Sequence, residues 1–284
     1  VSGNVPNLPP LREILSRYGL EPKKSLGQNF LLDLNLTGRI ARAAGDCGKG
    51  TTIEIGPGPG GLTRALLLEG AANVVAVERD RRCVAALAEL SDAFPGRLTV
   101  IEADAMTCDL ADLGPAPRRI VANLPYNIST ALLIRWLTAL YETPGLLDGM
   151  TLMFQKEVAE RLAAKPRSKD YGRLSILTQW LCETENLFDI SPKAFIPPPK
   201  ITSTVVRLRP RTEPLHPATM TVLEKVTAAA FGQRRKMLRQ SLKPLGINPK
   251  QLLEKVGILE TARAEELSVA DFCRLARSVE DIDA

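Results

Sequence analysis

Residues 120–130 read IVANLPYNIST, an apolar run that ends on Asn123, Leu124, Pro125 and Tyr126. An amide, a proline and an aromatic ring side by side suit a turn, since Asn and Pro punctuate chains. They also suit a grip on something flat that carries an amino group. Asn123 Oδ1 and the Leu124 carbonyl could accept from the two N–H groups of one amine. Pro125 has no N–H to compete for those acceptors, and Tyr126 could stack on a base face. The exocyclic amine of adenine is a poor nucleophile because its lone pair is delocalised into the ring. Making it attack a methyl sulfonium needs positioning, desolvation and acceptors that draw the nitrogen toward a tetrahedral shape, with little acid–base power.

A second stretch, TTIEIGPGPGGLTRALL, reads as a strand, a glycine-rich turn and a helix. Gly56, Gly58 and Gly60 let the backbone turn sharply beside a ligand, and amides at the following helix start can bond a carboxylate or phosphate. Gly56, Gly58 and Gly61 also satisfy GxGxxG, so a nicotinamide dinucleotide rivals S-adenosylmethionine as the ligand. Glu78 ends the next strand about twenty residues on, where an acid takes ribose hydroxyls. A structural turn with a surface Glu accounts for the same pair without any ligand. Asp104, in IEADAM, ends a third strand and could accept from an adenine amine. A dehydrogenase needs an acid or base downstream, and the end of the fourth strand carries Asn123–Tyr126 instead.

The elements that must position these residues alternate. Strand-like runs fall at 52–55, 74–77, 98–102, 120–123 and 151–154, with helix-like segments at 62–68, 81–90 and 130–140 between them. Such alternation predicts right-handed βαβ crossovers and a parallel sheet covered on both faces. A helix at 173–182, a short strand near 187–190 and STVVRLRP at 203–210 predict an antiparallel edge. RTEPLHPAT, 211–219, reads as a linker. Helices are expected beyond it at 220–231, 235–242, 249–256 and 269–279, the last opened by a capping box of Ser268 and Asp271. The expected layout is an α/β domain over 1–210, a linker over 211–218 and a small all-helical domain over 219–284.

Composition narrows the chemistry further. Hydrophobic residues make up 45% of 284, ordinary for a globular chain, and no window approaches the run of about 20 apolar residues that a membrane span needs. The opening VSGNVPNLPPLREIL lacks a basic stretch before an apolar core, so no secretory signal is expected. It also lacks Met, so the numbering is expected to begin inside the gene product or after an added segment. Five scattered cysteines, never CxxC, argue against disulfides or zinc and for a reducing cytoplasm. His216 is the only histidine, which leaves almost nothing for a triad or a metal site. The net charge is +5, and two basic clusters stand out. One comprises Arg234, Arg235, Lys236, Arg239, Lys243 and Lys250, with no acid between Phe231 and Lys250; the other runs from Arg161 to Arg173 around Asp170 alone. Solvated helix faces explain either cluster singly; together they favour a phosphate backbone.

At this point the sequence resembles the KsgA-type (RsmA) small-subunit ribosomal RNA adenine N6,N6-dimethyltransferases. KKSLGQNFLLD (23–33), IEIGPGPGGLT (53–63), VAVERD (75–80), ADAM (103–106) and VANLPYNIST (121–130) carry the likeness, as do FQKEVAERL (154–162), YGRLSIL (171–177), AFIPPPKITSTVVRL (194–208), FGQRRKMLRQSL (231–242) and AEELSVADF (264–272). The resemblance implies a Rossmann-like class I methyltransferase domain with a mixed, mostly parallel seven-stranded sheet, plus a small helical domain. It implies S-adenosylmethionine as cofactor, with Asn29 and Leu31 lining it, Gly56 and Gly58 at the glycine turn, Glu78 on the ribose, Asp104 on the cofactor adenine and Asn123 at the shared wall. Asn123 to Tyr126 would be the methyl-transfer tetrad, and Phe195 a second aromatic sandwiching the target base, its loop stiffened by Pro197, Pro198 and Pro199. Arg234, Arg235, Lys236 and Arg239 would bind RNA, and the Arg161–Arg173 cluster could flank the mouth of the site.

The activity implied is dimethylation of two adjacent adenosines in the 3′-terminal hairpin loop of 16S rRNA, with the small subunit as partner and a part in its biogenesis. A cytoplasmic monomer without metal or membrane is expected. Relatives that methylate large-subunit rRNA and confer macrolide resistance typically carry Ile in the tetrad, where Leu124 stands here. Mitochondrial transcription-factor relatives and DNA adenine methyltransferases with a DPPY-like tetrad rank lower. A ribosome-assembly factor in which catalysis is secondary is the alternative from another class, and a dehydrogenase is the third.

Overall fold

The computed structural model describes residues 7–22 and 27–283; residues 23–26 of the KKSLGQNFLLD stretch lie outside the described residues. Nine strands and eleven α-helices are described. In order they are α1 (Leu11–Arg17), β1 (Phe30–Leu31), α2 (Leu34–Ala43), β2 (Thr51–Ile55), α3 (Gly61–Leu68), β3 (Val74–Glu78), α4 (Arg81–Ala93), β4 (Leu98–Glu102), β5 (Arg118–Asn123) and α5 (Tyr126–Glu142). There follow β6 (Gly149–Gln155), α6 (Lys156–Leu162), α7 (Arg173–Leu181), β7 (Cys182–Ile190), β8 (Phe195–Ile196), β9 (Ser203–Pro210), α8 (Met220–Gly232), α9 (Leu238–Ser241), α10 (Pro249–Lys255) and α11 (Val269–Asp283).

Seven strands form one sheet in the order β4-β3-β2-β5-β6-β9-β7. β4 to β6 run parallel to their neighbours, and β9 lies antiparallel to β6. β2 and β3 are buried at every residue, which suits their Val, Ile, Thr and Ala content and sets Glu54 and Glu78 apart: helices cover both faces of a parallel sheet. Each fully buried side chain such as Ile53 or Ile120 removes enough apolar surface to contribute roughly 1.5–3 kcal/mol. Strand order reverses at β2, where the connection after β4 returns to the far side of β2 as β5. Ligands of open α/β sheets bind beyond the carboxyl ends of strands at such a point. A separate two-stranded ribbon pairs Phe30 with Ile196 and Leu31 with Phe195.

The chain divides into two compact units. One comprises 1–136, 145–156 and 186–209; the other comprises 137–144, 157–185 and 210–284. The units therefore interleave along the chain, whereas the linear reading draws one boundary at 211–218. The 211–218 stretch is held within the second unit: Trp180 Nε1 donates to the His216 carbonyl at 2.7 Å, and the Leu215 amide donates to the Trp180 carbonyl at 2.8 Å. The core of that unit includes Phe231 stacked on Phe272, ring centroids 5.6 Å apart.

Local signals place most helix ends. Asp33 caps α2 by accepting from Asn35 N and Leu36 N, and Ser268 and Asp271 form the expected reciprocal box at α11. One expected helix differs. Residues 235–242 yield only α9, because Met237 is extended and bridges Arg263 while the Leu238 amide donates to the Ala262 carbonyl at 2.8 Å. A tertiary strand-like contact overrides local helix propensity there.

Candidate active site

The carboxyl ends of β2, β3, β4 and β5 open into a cleft of about 1130 Å³, lined by residues of 27–31, 54–62, 77–79, 103–106 and 123–128. The glycine turn forms its floor. Gly58 has φ +56, and a Cβ there would stand 2.9 Å from Phe30 Cε1, so β1 can close on the turn only over a glycine. Gly61 meets main chain more closely still: a Cβ would lie 2.4 Å from the Leu31 carbonyl oxygen. Through these approaches Phe30 and Leu31, both buried, become a wall of the cleft. Gly56 touches the tetrad side, since a Cβ on it would sit 3.6 Å from Pro125 Cδ.

Glu78 is buried at the end of β3, and its carboxylate is bound by main chain. Oε1 accepts from Arg79 N and Asp80 N at 2.8 Å each, and Oε2 accepts from Gly58 N at 3.0 Å. Those bonds tie the acid to the glycine turn and leave lone-pair capacity on Oε2 for a hydroxyl donor. Burial pushes the Glu78 carboxyl up, and the three amides oppose it. Asp104 is more open: Oδ1 accepts from Met106 N at 2.9 Å and Oδ2 lies 3.3 Å from Arg79 Nη1.

Asn123 ends β5 with its amide oriented. Nδ2 donates to the Asn29 carbonyl at 3.0 Å, so Oδ1, on the other side of the amide carbon, is the acceptor left for a ligand. Leu124 is buried, which anchors the main chain that presents its carbonyl. Tyr126 opens α5, and its hydroxyl shares a 2.5 Å hydrogen bond with Ser203 Oγ. That bond fixes the ring from its far end. Burial raises the Tyr126 phenol, which keeps it protonated near neutral pH.

Asn29, Leu31, Gly56, Gly58, Glu78, Asp104 and Asn123 to Tyr126 thus line one cleft. Phe195 does not. It lies in β8 and packs in the core, 2% exposed, with Leu31, Val121, Met153 and Val205. It stands opposite Leu31 in the β1–β8 ribbon, buried, while the base-sandwiching role that the resemblance implies for it remains a proposal. The expected RNA contacts also separate. Arg234 Nε is bound to Glu265 at 2.9 Å and Nη2 to the Ser168 carbonyl at 3.1 Å. Arg239 pairs with Glu260 at 3.3 Å, while Arg235 and Lys236 are exposed. In the other cluster, Arg161 pairs with Glu157.

Glu54 is a site residue that the sequence reading passes over. It lines the cleft, is 2% exposed, and Oε2 has no hydrogen-bond partner among the described residues. Burial pushes its carboxyl up to about 8, opposed by the Thr63 hydroxyl and reinforced by the nearby Glu78 charge. A buried acceptor without a donor disfavours the empty cleft and favours a cationic or donor group there. The signal was present: an acid in the middle of a strand buried on both faces has no structural reason to be charged. With a main-chain-bound acid for hydroxyls, an open acid for an amine and a hidden acid for an ammonium, the cleft fits the nucleoside and amino-acid ends of S-adenosylmethionine.

No helix among the described residues is long and apolar enough to cross a membrane, and no group of three or more His, Cys, Asp or Glu among them could hold a metal ion. Comparison with known proteins agrees with the geometry. A curated relative, the ribosomal RNA small subunit methyltransferase A of Paramagnetospirillum magneticum, is 63% identical over 274 residues, 96% of each chain. The crystal structure of a dimethyladenosine transferase from Plasmodium falciparum superposes with TM-score 0.76 at 25% identity, over 89% of this chain and 98% of that one. The 23S rRNA methyltransferase ErmE superposes with TM-score 0.63 at 28% identity, over 89% of this chain and all of that one. The family model described as ribosomal RNA adenine dimethylase matches residues 19–281. A match of that extent takes in the glycine turn, the tetrad and the helical segments together, and the chain belongs to the ribosomal RNA adenine dimethylase family.

Proposed function

We propose that this protein transfers methyl groups from S-adenosylmethionine to N6 of two adjacent adenosines in the 3′-terminal hairpin loop of small-subunit rRNA, giving dimethyladenosine. The observation that carries this reading is the Asn123 amide, turned by the Asn29 carbonyl so that its oxygen is the acceptor beside the glycine turn.

When bound, the cofactor supplies a methyl group on a positively charged sulfur. The residues supply the rest. Glu54 accepts from the ammonium of the amino-acid end, Glu78 Oε2 from a ribose hydroxyl and Asp104 from the cofactor adenine. Asn123 Oδ1 and the Leu124 carbonyl accept from the two N–H groups of the target amine and draw its lone pair out of the ring. Tyr126 stacks on the base, held by Ser203. No side chain is needed as a strong base, because the amine loses its proton only after the new C–N bond has made it acidic. After the first transfer one N–H remains for two acceptors, so the mono-methylated base can turn and still be held for the second.

The partner is the immature small subunit, bound in the cytoplasm by a monomer that also acts in subunit biogenesis. Residues 219–284, with Arg235 and Lys236 outward, supply RNA contact. The test is methyl transfer to unmethylated small subunits followed by mass spectrometry of the rRNA. Dimethyladenosine at two adjacent adenines of the 3′-terminal loop is the expected result. Labelling of large-subunit rRNA would overturn it in favour of the activity named for the 28% identical structural neighbour.

A further inference from the structure

Three polar side chains finish one face of the sheet where β5 and β6 end and β9 begins. Met153 stands opposite Asn123 of β5 and opposite Val205 of β9, and Gln155 stands opposite Ser203. Side chains alternate along a strand, so Gln155 shares a face with Met153, and Ser203 shares it with Val205. Val121, Met153 and Val205 are buried in one core cluster with Phe195. Asn123, Gln155 and Ser203 follow them toward the edge on the same face and cap that cluster with polar groups.

The three are held differently. Asn123 Nδ2 donates to the Asn29 carbonyl at 3.0 Å, and Ser203 Oγ shares its 2.5 Å bond with the Tyr126 hydroxyl. Gln155 is half-buried, and its side-chain amide has no hydrogen-bond partner among the described residues. A donor pair and an acceptor are therefore unused at that edge. Neighbouring strands lie about 4.8 Å apart and Gln155 is one face position beyond Met153, so its Cα is roughly 8 Å from that of Asn123. Two amides rising from one face at that spacing can bond neighbouring atoms of one planar ring. Ser203 supplies the direction, because the ring that it anchors, Tyr126, is the one that stacks on the base.

We propose that Gln155 is a third hydrogen-bonding contact to the target adenine, its amide N–H donating to a ring nitrogen beside the amine. This rests on the adenine N6 reading above and extends it to the second transfer. Adenine carries an acceptor nitrogen on either side of its amine, N1 and N7. While the amine has two N–H groups, Asn123 Oδ1 and the Leu124 carbonyl hold the base and Gln155 adds to them. Each transfer moves a methyl group from sulfur to N6 and releases one N6 proton to water. After the first, a single N–H remains for the acceptors, whereas the ring nitrogen still accepts from Gln155. The Gln155 bond then supplies a larger share of the hold, so it matters most to the second methyl group.

Two full-length variants test the contact. Gln155→Leu removes both polar atoms, and Gln155→Glu keeps the size and the acceptor while removing the N–H donors. Unmethylated small subunits are reconstituted with adenosine, 1-deazaadenosine or 7-deazaadenosine at the target position, and mass spectrometry follows the mono- and dimethylated products over time. On adenosine both variants are expected to slow the first transfer about threefold and the second about tenfold, so that monomethyladenosine accumulates. On the deaza base that lacks the bonded nitrogen, the variants and the unmodified protein are expected to react at equal rates. Comparing proteins on one base cancels its intrinsic reactivity, and the base on which the difference vanishes names the nitrogen. A difference that persists on both deaza bases would overturn the proposal, as would full dimethylation by Gln155→Glu. Equal slowing of both transfers with a lowered melting temperature would assign Gln155 a structural part only and overturn it likewise. Failure of the unmodified protein to methylate ordinary subunits would sink the rRNA reading instead, a result independent of either variant.

Discussion

The two ends of one sheet carry opposite charge. At the carboxyl ends of β2 to β5 stand Glu54, Glu78, Asp104 and the Asn123 amide; at the amino ends of β5 and β6 and the close of β9 stand Arg119, Arg207 and Arg209. Parallel strands make this possible, because they bring residues of like position to the same edge. The ends differ in how their polar groups are held. Glu78 is bound by three main-chain amides and Asn123 by a main-chain carbonyl, so their remaining acceptors have fixed directions. At the other end, Arg207 Nη2 and Arg119 Nη1 donate to the Ala43 and Asp46 carbonyls, at and just beyond the end of α2. The acidic end is therefore suited to orient a particular small cation and an amine, whereas the bonds at the basic end tie Arg119 and Arg207 to the main chain around the end of α2.

The largest effect is expected at the tetrad. Asn123→Ala should lower single-turnover methyl transfer by about 10²- to 10³-fold, the usual loss when one preorganised polar group is removed from a transition state, while cofactor affinity changes little. An equal loss of cofactor affinity would mean that Asn123 belongs to the cofactor seat alone. Next is Glu54→Gln, which should weaken S-adenosylmethionine binding by about tenfold or more, as expected for a charged hydrogen bond. Because burial holds the Glu54 proton up to about pH 8, cofactor binding near pH 7 should release that proton, read as a buffer-dependent heat in calorimetry. The variant should lose the release.

The same acid links stability to pH. Its pKa is raised in the folded state, so the folded protein binds more protons between the ordinary value of 4.5 and about 8, and the ligand-free protein loses stability as pH rises through that window. Glu54→Gln should flatten that decline in a thermal melt series. Gly58→Ala comes third: the left-handed backbone and the contact with Phe30 should cost about 1–2 kcal/mol, seen as several-fold weaker cofactor binding. The smallest effects sharpen the contrast between committed and outward charge in the helical unit. Arg235→Glu and Lys236→Glu should each reduce the salt slope of subunit binding by about 1. Arg234→Ala should instead lower the melting temperature, since its guanidinium bonds Glu265 and Ser168.

The sequence by itself determined the strand and helix alternation, the glycine turn and the tetrad, because each depends on local chemistry. Glycine needs no neighbour to adopt φ +56, a capping box closes within four residues, and a parallel strand announces its burial through unbroken apolar runs. It also brought Glu78, Asp104 and Asn123 to one cleft, since acids at successive parallel strand ends share an edge. Other points were decided only by tertiary contacts. Phe195 faces the core because β8 pairs with β1 in a register that a loop sequence does not display. The helix expected at 235–242 shrinks to four residues because Met237 bridges Arg263, 26 positions away. Arg234 and Arg239 look outward in a run without acids, yet Glu265 and Glu260 return to neutralise them from the next turns of the chain. Charge counted along the chain is local, whereas charge available to a partner is what remains after folding has paired it.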